Sequence, residues 1–190
     1  MTPILRFTPF KSCTDAGWAE AWQIYESSFP EEERWHEADY MRAFSDPAFE
    51  ADGVWLQGDR LVGVLFYWKA DGFRYIEHLA ISAELRGQEM GSKILTLFCQ
   101  QGGRVLLEID PPIDDISIRR QHFYERLGFV TNPYEYMHPS FHKPFRTHHL
   151  VIMSYPEAVT YAEASLFADF VRERVLCYSE HENPTLPKLP

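Results

Sequence analysis

Apolar side chains recur along the chain with two spacings, one typical of helices and one typical of strands. Between residues 15 and 30 the apolar positions are three or four apart, which predicts an amphipathic helix. These positions are Trp18, Trp22, Tyr25 and Phe29. Residues 49–57 and 60–70 are strand-like runs joined by Gly58-Asp59, a dipeptide typical of tight hairpins. A second turn at residues 70–72 leads into a strand around Tyr75, so the pattern predicts three consecutive antiparallel strands.

The second half of the chain alternates between the same two patterns. They predict a helix over 90–101, a strand over 104–110, a helix from Ser117, an antiparallel pair at 134–137 and 149–154, and a last helix from Thr160. Thr160 and Glu163 have the spacing of a capping box. The prediction is an α/β (α+β) fold with a mixed, mostly antiparallel sheet. A single domain is expected over residues 1–178, followed by a flexible tail at 179–190.

The amino-acid composition excludes some classes of binding partner and indicates a cellular compartment. A net charge of −10 without a long basic cluster argues against nucleic acid or an anionic membrane as partner. The aromatic content of 15% falls mainly on helix faces and strands, which indicates core packing. Three cysteines far apart in sequence, with no signal peptide and no long apolar run, predict a cytoplasmic protein. Homodimer formation is left open.

The candidate chemistry lies where the Tyr75 strand gives way to the 90–101 helix. This junction, RGQEMGS from Arg86 to Ser92, has little side-chain bulk at Gly87 and Gly91. The first amides of a helix have no partner within it, and the helix dipole places partial positive charge there. Glycine lets a phosphate approach the backbone closely. We therefore expect the junction to bind a diphosphate.

Two stretches carry a family resemblance: HLAISAELRGQEMGSKIL at 78–95 and SIRRQHFYERLGF at 117–129. Together with the order of elements they resemble the GNAT acyltransferase superfamily, whose loop consensus is Arg/Gln-x-x-Gly-x-Gly/Ala. Arg86 and Gly91 match it, whereas Glu89 stands where the middle glycine usually is. We expect the Glu89 side chain to point outward, so that only its N–H faces the phosphate. The resemblance implies a GNAT-like central sheet with helices on both faces.

The resemblance also implies acetyl-CoA as co-substrate and an amine as acceptor. The expected cofactor-binding residues are Leu79, Ala80, Ile81, Arg86, Gly87, Gln88, Glu89, Met90, Gly91, Ser92, Ser117, Arg120 and Tyr124. The strand at 79–81 would pair with the pantetheine arm. Tyr124 matches the family tyrosine that donates a proton to the departing thiolate. Arg120 adds positive charge, with solvated surface as the alternative.

An amine protonated at neutral pH needs a base before it can attack a thioester. Glu77, just before the pantetheine-pairing segment, is the first candidate, and Glu108 is the second. His78 is expected on the opposite face of the strand from Glu77. No metal is expected, because Pro139 interrupts the spacing of His138 and His142.

The acceptor is not named by the sequence. The acids at Glu31–Glu33 favour a small cationic amine, and Tyr134, Tyr136 and Phe141 are expected to line its pocket. One alternative is a catalytically silent GNAT-like module that binds acyl-CoA as a sensor or assembly unit. Another is a nucleotide-phosphate binder, disfavoured because no GxxxxGK[ST] or GxGxxG motif is present.

Overall fold

The computed structural model describes residues 4–57 and 59–180 and contains strands and helices in the predicted order. The strands described are β1 (Leu5–Phe10), β2 (Phe49–Leu56), β3 (Arg60–Ala70), β4 (Phe73–Ile81), β5 (Arg104–Ile109), β6 (Val130–Thr131), β7 (Tyr136–Pro139) and β8 (Thr147–Tyr155). The α-helices described are α1 (Trp18–Glu26), α2 (Glu37–Ala43), α3 (Met90–Cys99), α4 (Asp115–Glu125) and α5 (Tyr161–Phe170). The predicted fold class, α/β with mostly antiparallel strands, is confirmed.

Two predictions fall on residues outside the described part of the chain. Of the predicted flexible tail at 179–190, residues 181–190 lie outside the described part of the chain, as does Gly58 of the predicted hairpin turn. The described residues form two compact units, one from residues 4–57, 59–69 and 76–102 and the other from residues 70–75 and 103–180. That residues 1–178 make a single domain stays a prediction. Within residues 4–57 and 59–180, every helix is too short or too polar to traverse a membrane.

The first unit is built on strands in the order β1-β2-β3-β4. β1 pairs antiparallel with β2, and β2 pairs antiparallel with β3. The second pairing slips between Val54, opposite Gly63, and Trp55, opposite Leu61, so Val62 is an extra residue on β3. Such a bulge bends the strand and increases its twist.

Aromatic side chains fill the core of the first unit, as the sequence predicts. Trp18 of α1 is 1% exposed and stacks on Phe66 of β3 with ring centroids 5.9 Å apart. Its indole N–H donates to Glu37 at 2.7 Å, which joins α1 to the start of α2. Tyr40 packs edge-on against Trp18 at 6.2 Å. This packing fixes α1 and α2 against the sheet.

The second unit has the strand order β5-β8-β6, with β7 also paired to β8. These pairings are antiparallel, and they confirm the predicted terminal strand pair. Thr160 caps α5 through the predicted capping box with Glu163. The short strand β6 was not predicted, since two residues carry no alternating pattern.

Candidate active site

The residues expected from sequence fall in both units. Glu77, the 79–81 strand segment and the 86–92 loop belong to the first unit. Glu108, Ser117, Arg120 and Tyr124 belong to the second.

The loop between β4 and α3 contains two residues with left-handed backbone. Gly87 has a φ of 76° and Glu89 has a φ of 58°. This conformation costs a residue with a β-carbon roughly 1–2 kcal/mol, whereas glycine adopts it freely. Glu89 is therefore strained at the position where the family consensus has glycine. Its side chain is exposed to solvent.

Consecutive backbone amides at the start of α3 are open. Glu89 is the N-cap residue, and no side chain caps the helix. In the described part of the chain, nothing accepts a hydrogen bond from the amides of Glu89–Ser92. The amide of Gln88 instead donates to the Leu85 carbonyl at 3.3 Å, so the expected row of free amides starts one residue later than predicted. Open amides at the positive end of a helix dipole suit an anion.

Two loop side chains are held by the protein itself. Arg86 donates from Nε to the Ile81 carbonyl at 3.2 Å and from Nη2 to the Ser28 hydroxyl at 2.9 Å. Gln88 donates from its side-chain amide to the Glu84 carbonyl at 2.9 Å. Arg86 therefore ties the loop to the end of β4 and to the segment that follows α1. The residue is exposed, and two of its five N–H donors are used in these bonds.

The expected pantetheine-pairing segment lies at the end of β4. Ala80 is buried, while Leu79 and Ile81 are half-buried. A β-carbon built on Gly63 of β3 would lie 2.5 Å from the Ala80 carbonyl oxygen, closer than such atoms can approach. Glycine at position 63 therefore lets β3 come close to the segment that is expected to bind the cofactor.

Glu77, the first candidate base, has a buried carboxylate. Its side chain is 1% exposed and its Oε2 accepts a hydrogen bond from the Trp68 indole at 2.9 Å. His78 Nδ1 lies 4.0 Å from the same oxygen, so the expectation that these two side chains take opposite faces is wrong. The His78 ring is held between the Tyr40 hydroxyl at 3.2 Å and the Glu33 carbonyl at 3.0 Å. These contacts draw His78 towards Glu77 despite the alternation of the strand.

Tyr124 lies near the end of α4 with its ring between two phenylalanines. The ring centroids of Phe123 and Phe129 are 5.1 and 5.6 Å away. Among the described residues its hydroxyl has no hydrogen-bond partner. Burial raises the pKa of Tyr124, and the nearby Arg120 only partly opposes this. The phenol therefore stays protonated at neutral pH and can donate a proton.

Ser117 and Arg120, also on α4, make contacts within the protein. The Ser117 hydroxyl accepts from the amides of Ile113 and Asp114, both at 3.1 Å, and belongs to the cap of the helix. Arg120 donates to the Asp110 carboxylate at 2.6 Å. Their predicted cofactor contacts would have to compete with these bonds.

Glu108, the second candidate base, lies on β5. Its Oε2 accepts from the Tyr75 hydroxyl at 2.7 Å, while Oε1 is buried and has no hydrogen-bond partner in the described part of the chain. Tyr136 is 3% exposed, and its pKa is raised by burial and by the charge of Glu108. A buried carboxylate oxygen without a donor is a candidate proton acceptor.

Comparison with known proteins identifies the family to which the chain belongs. The model of the Acetyltransferase (GNAT) family matches residues 18–129, more than half of the chain and the whole segment from α1 to α4. The chain belongs to the GNAT family. The match includes the open amides of α3 and Tyr124, and it confirms the resemblance carried by the two sequence stretches.

Other GNAT proteins share the fold at low sequence identity. A putative GNAT acetyltransferase from Bacteroides thetaiotaomicron superposes with a TM-score of 0.82 at 23% identity, covering 90% of this chain and 98% of that one. A Bacillus subtilis acetyltransferase in complex with CoA has a TM-score of 0.55 at 14% identity, covering 80% and 97%. These likenesses show the fold.

A curated relative, the putative acetyltransferase YjbC of Bacillus subtilis (strain 168), is 29% identical over 68 residues. The match covers 35% of this chain and 35% of the relative. The chain thus matches about a third of that relative's length, and a match of this extent does not transfer an activity.

Two polar residues of this GNAT protein carry no catalytic expectation from the sequence. Tyr75 donates to Glu108, and His138 shares a face of β7 with Tyr136. The signal was present in the alternation of Tyr136 and His138, two residues apart on β7, which places both on one face. Tyr136 and Phe141, expected to line an acceptor pocket, are 3% and 6% exposed.

Proposed function

We propose that this GNAT protein is an acyl-CoA-dependent N-acyltransferase that moves an acetyl group directly to an amine. The observation that carries the proposal is the set of open amides at Glu89–Ser92, led by a left-handed residue into α3. A diphosphate accepts hydrogen bonds and carries negative charge, and a helix N-terminus offers donors and partial positive charge. The family match over this segment supports coenzyme A as the diphosphate.

Tyr124 is proposed as the acid that protonates the departing thiolate. Its hydroxyl is not held by the described part of the chain, and its raised pKa keeps it protonated. A general acid contributes about 10²–10⁴-fold to a rate. We propose Glu108 as the base, with Glu77 as the alternative. In each carboxylate Oε2 accepts a hydrogen bond, from Tyr75 in Glu108 and from Trp68 in Glu77, while Oε1 is buried without a partner in the described part of the chain. Glu108 is preferred because it belongs to the same unit as Tyr124.

An acyl-cysteine intermediate on Cys13 or Cys99 is disfavoured. All three cysteines are free thiols, and the pKa of Cys13 is raised to about 11 by burial and by the charges of Glu37 and Asp15. Cys99 is buried in α3. A thiol that stays protonated is a poor nucleophile at neutral pH.

The test is release of free thiol from acetyl-CoA with a panel of amines, for wild type, Tyr124→Phe and Tyr161→Phe. Tyr161 is an exposed tyrosine on α5 and serves as the matched control. We expect Tyr124→Phe to lower kcat about 100-fold with little change in CoA affinity, in line with loss of a general acid, and Tyr161→Phe to match wild type. Equal activity of the two variants would refute the role of Tyr124.

One observation favours the silent acyl-CoA-binding module as second candidate. Glu89 places a negative charge on the residue whose amide should face the diphosphate, and strain at that position makes a binding loop less favourable. CoA binding by calorimetry without thiol release across the amine panel would support this alternative. If CoA did not bind at millimolar concentration, both the N-acyltransferase and the silent acyl-CoA-binding module would be refuted.

A further inference from the structure

An unusual row of polar atoms follows one face of β5, β8 and β7 in the second unit. Four buried side-chain atoms there have no hydrogen-bond partner in the described part of the chain. They are Glu108 Oε1, Tyr136 Oη, His138 Nε2 and His148 Nε2. Buried polar groups are normally paired with protein, water or ligand, so isolated exceptions are rare and a group of them calls for an explanation.

The strand register places these four side chains on the same face. Glu108 lies opposite Ile152 of β8, Tyr136 lies opposite Leu150, and His138 lies opposite His148. Positions 148, 150 and 152 of β8 alternate onto one side of the strand. The row therefore extends over four residues of β8, about 13 Å at ~3.3 Å per residue.

The row has a direction, from a buried end to a partly exposed end. At the buried end Glu108 is fixed by the Tyr75 hydroxyl, and Phe167 packs on both Tyr75 and Tyr136 with ring centroids 5.1 and 5.7 Å away. Tyr136 and His138 are 3% and 5% exposed. His148 is partly exposed as a residue on β8, although its Nε2 is buried.

The tautomer of His138 is set by its own backbone. His138 Nδ1 lies 2.6 Å from the Pro139 carbonyl, which can only accept, so Nδ1 carries the proton. In the neutral ring Nε2 is then a lone pair that points into the row. The nitrogen can take up a proton without losing the bond to Pro139 and can pass that proton on.

We propose that Tyr136, His138 and His148 form a proton relay that carries the proton taken up by Glu108 to solvent, directly or through bridging waters. The proposal rests on the proposed function with Glu108 as base. In the reaction the acceptor ammonium loses one N–H proton to Glu108 Oε1, and its nitrogen lone pair forms the new C–N bond. The C–S bond then breaks, and the sulfur takes a proton from Tyr124, which regains one from the amine nitrogen.

One proton is therefore released per turnover, and it has to leave a carboxylate oxygen that has no direct contact with bulk water. The Tyr136 hydroxyl passes it on by accepting one proton and donating another. His138 Nε2 then receives it and passes it to the buried Nε2 of His148, which releases a proton from its other ring nitrogen, Nδ1, at the edge of the sheet. Water can bridge such gaps because it both donates and accepts.

The variants that test the relay are Tyr136→Phe, His138→Gln and His148→Gln, with His149→Gln as matched control. His149 neighbours His148 but is exposed and faces the other side of β8. Thiol release from acetyl-CoA is measured with an amine turned over by wild type, in weak buffer and with rising imidazole. If Tyr136→Phe or His138→Gln, at buried positions, proves unstable in thermal unfolding, His148→Gln still tests the relay. Position 148 is partly exposed, so its substitution should disturb the fold less.

We expect kcat of each relay variant to fall about tenfold in weak buffer. This loss is smaller than the ~10²–10⁴-fold contribution of a general base itself. Added imidazole should restore kcat, because it replaces the missing proton carrier. The KM for the amine should not change, and His149→Gln should match wild type. Relay variants that match wild type would overturn the relay while the proposed function stands. A raised KM with unchanged kcat would make the row an acceptor subsite, and activity restored by zinc would make it a metal site; either result overturns the relay. No thiol release by wild type would overturn the proposed function as well.

Discussion

Glu89 offers the sharpest test of the diphosphate site, because charge and backbone strain meet on one residue. Its φ of 58° is a left-handed conformation, and it is the N-cap of α3. Two substitutions separate the effects. Glu89→Gln removes the charge and keeps the strain, whereas Glu89→Gly removes both.

The magnitudes for stability follow from the backbone and the helix end. Relief of the left-handed strain is worth about 1–2 kcal/mol in Glu89→Gly, but glycine costs about 0.5–1 kcal/mol in chain entropy. Loss of a carboxylate at a helix N-terminus costs about 0.3–1 kcal/mol in either variant. We therefore expect Glu89→Gln to be less stable than wild type and Glu89→Gly to be close to it.

The magnitude for CoA binding follows from Coulomb's law. A carboxylate ~6 Å from each of two phosphate charges in water repels each by about 0.7 kcal/mol, and salt reduces this. Both variants should therefore bind CoA about three- to tenfold more tightly at low ionic strength, with a gain that shrinks as salt is added.

Thermal unfolding and calorimetry with CoA at two salt concentrations measure both effects. Equal CoA affinity of wild type and Glu89→Gln would refute the reasoning, because it would place the diphosphate away from α3. A gain seen only in Glu89→Gly would assign the effect to backbone conformation. Glu84→Gln, on an exposed residue of the preceding turn, is the control for loss of a negative charge elsewhere in the loop.

Two further predictions concern the sheet of the first unit. The pKa of Asp52 is raised from 3.8 to about 6 by burial and by the charge of Glu50. Ionising the Asp52 carboxyl therefore lowers the stability of the fold as pH rises through this range. At 1.36 kcal/mol per pKa unit, Asp52→Asn should stabilise the fold by about 2–3 kcal/mol at pH 8 and should have no effect at pH 3. An effect on thermal unfolding that does not change with pH would contradict this. Gly63→Ala should lower stability by about 1–3 kcal/mol and weaken CoA binding, because the new β-carbon meets the Ala80 carbonyl. Gly72→Ala is the control: a β-carbon at Gly72 would meet open space, but the φ of 86° strains alanine, so stability should fall while CoA binding stays unchanged. If Gly63→Ala were as stable as wild type, β3 and β4 could separate freely and the reasoning would be wrong.

The sequence predicts best those parts of the structure that depend on neighbouring residues. The amphipathic spacing of α1, the capping box at Thr160 and the glycine-bearing junction before α3 are local signals. The cap and the junction form where expected, whereas α1 ends at Glu26, so Phe29, predicted on its apolar face, lies beyond the helix. The left-handed Glu89 explains why the family consensus has glycine at that position.

Contacts between elements far apart in the chain could not be predicted from the sequence. Strict alternation separates His78 from Glu77, but Tyr40 and the Glu33 carbonyl, far away in sequence, hold the His78 ring beside the Glu77 carboxylate. The register that places His138 opposite His148 depends in the same way on how β7 pairs with β8. Side-chain spacing within one strand carries no information about its partner.

The charges around the candidate site show how a protein with a net charge of −10 can still suit an anion. Arg86 donates to the Ile81 carbonyl and the Ser28 hydroxyl, and Arg120 is paired with Asp110, so both cations make contacts within the protein. The donors that remain open are main-chain amides at the start of α3. Amides are fixed by the helix and need no side-chain ordering, so they bind an anion without the entropy cost of immobilising a long cationic side chain. We therefore expect the two arginines to help hold the loop and α4 in place, and anion binding to depend mainly on the backbone amides of residues 89–92.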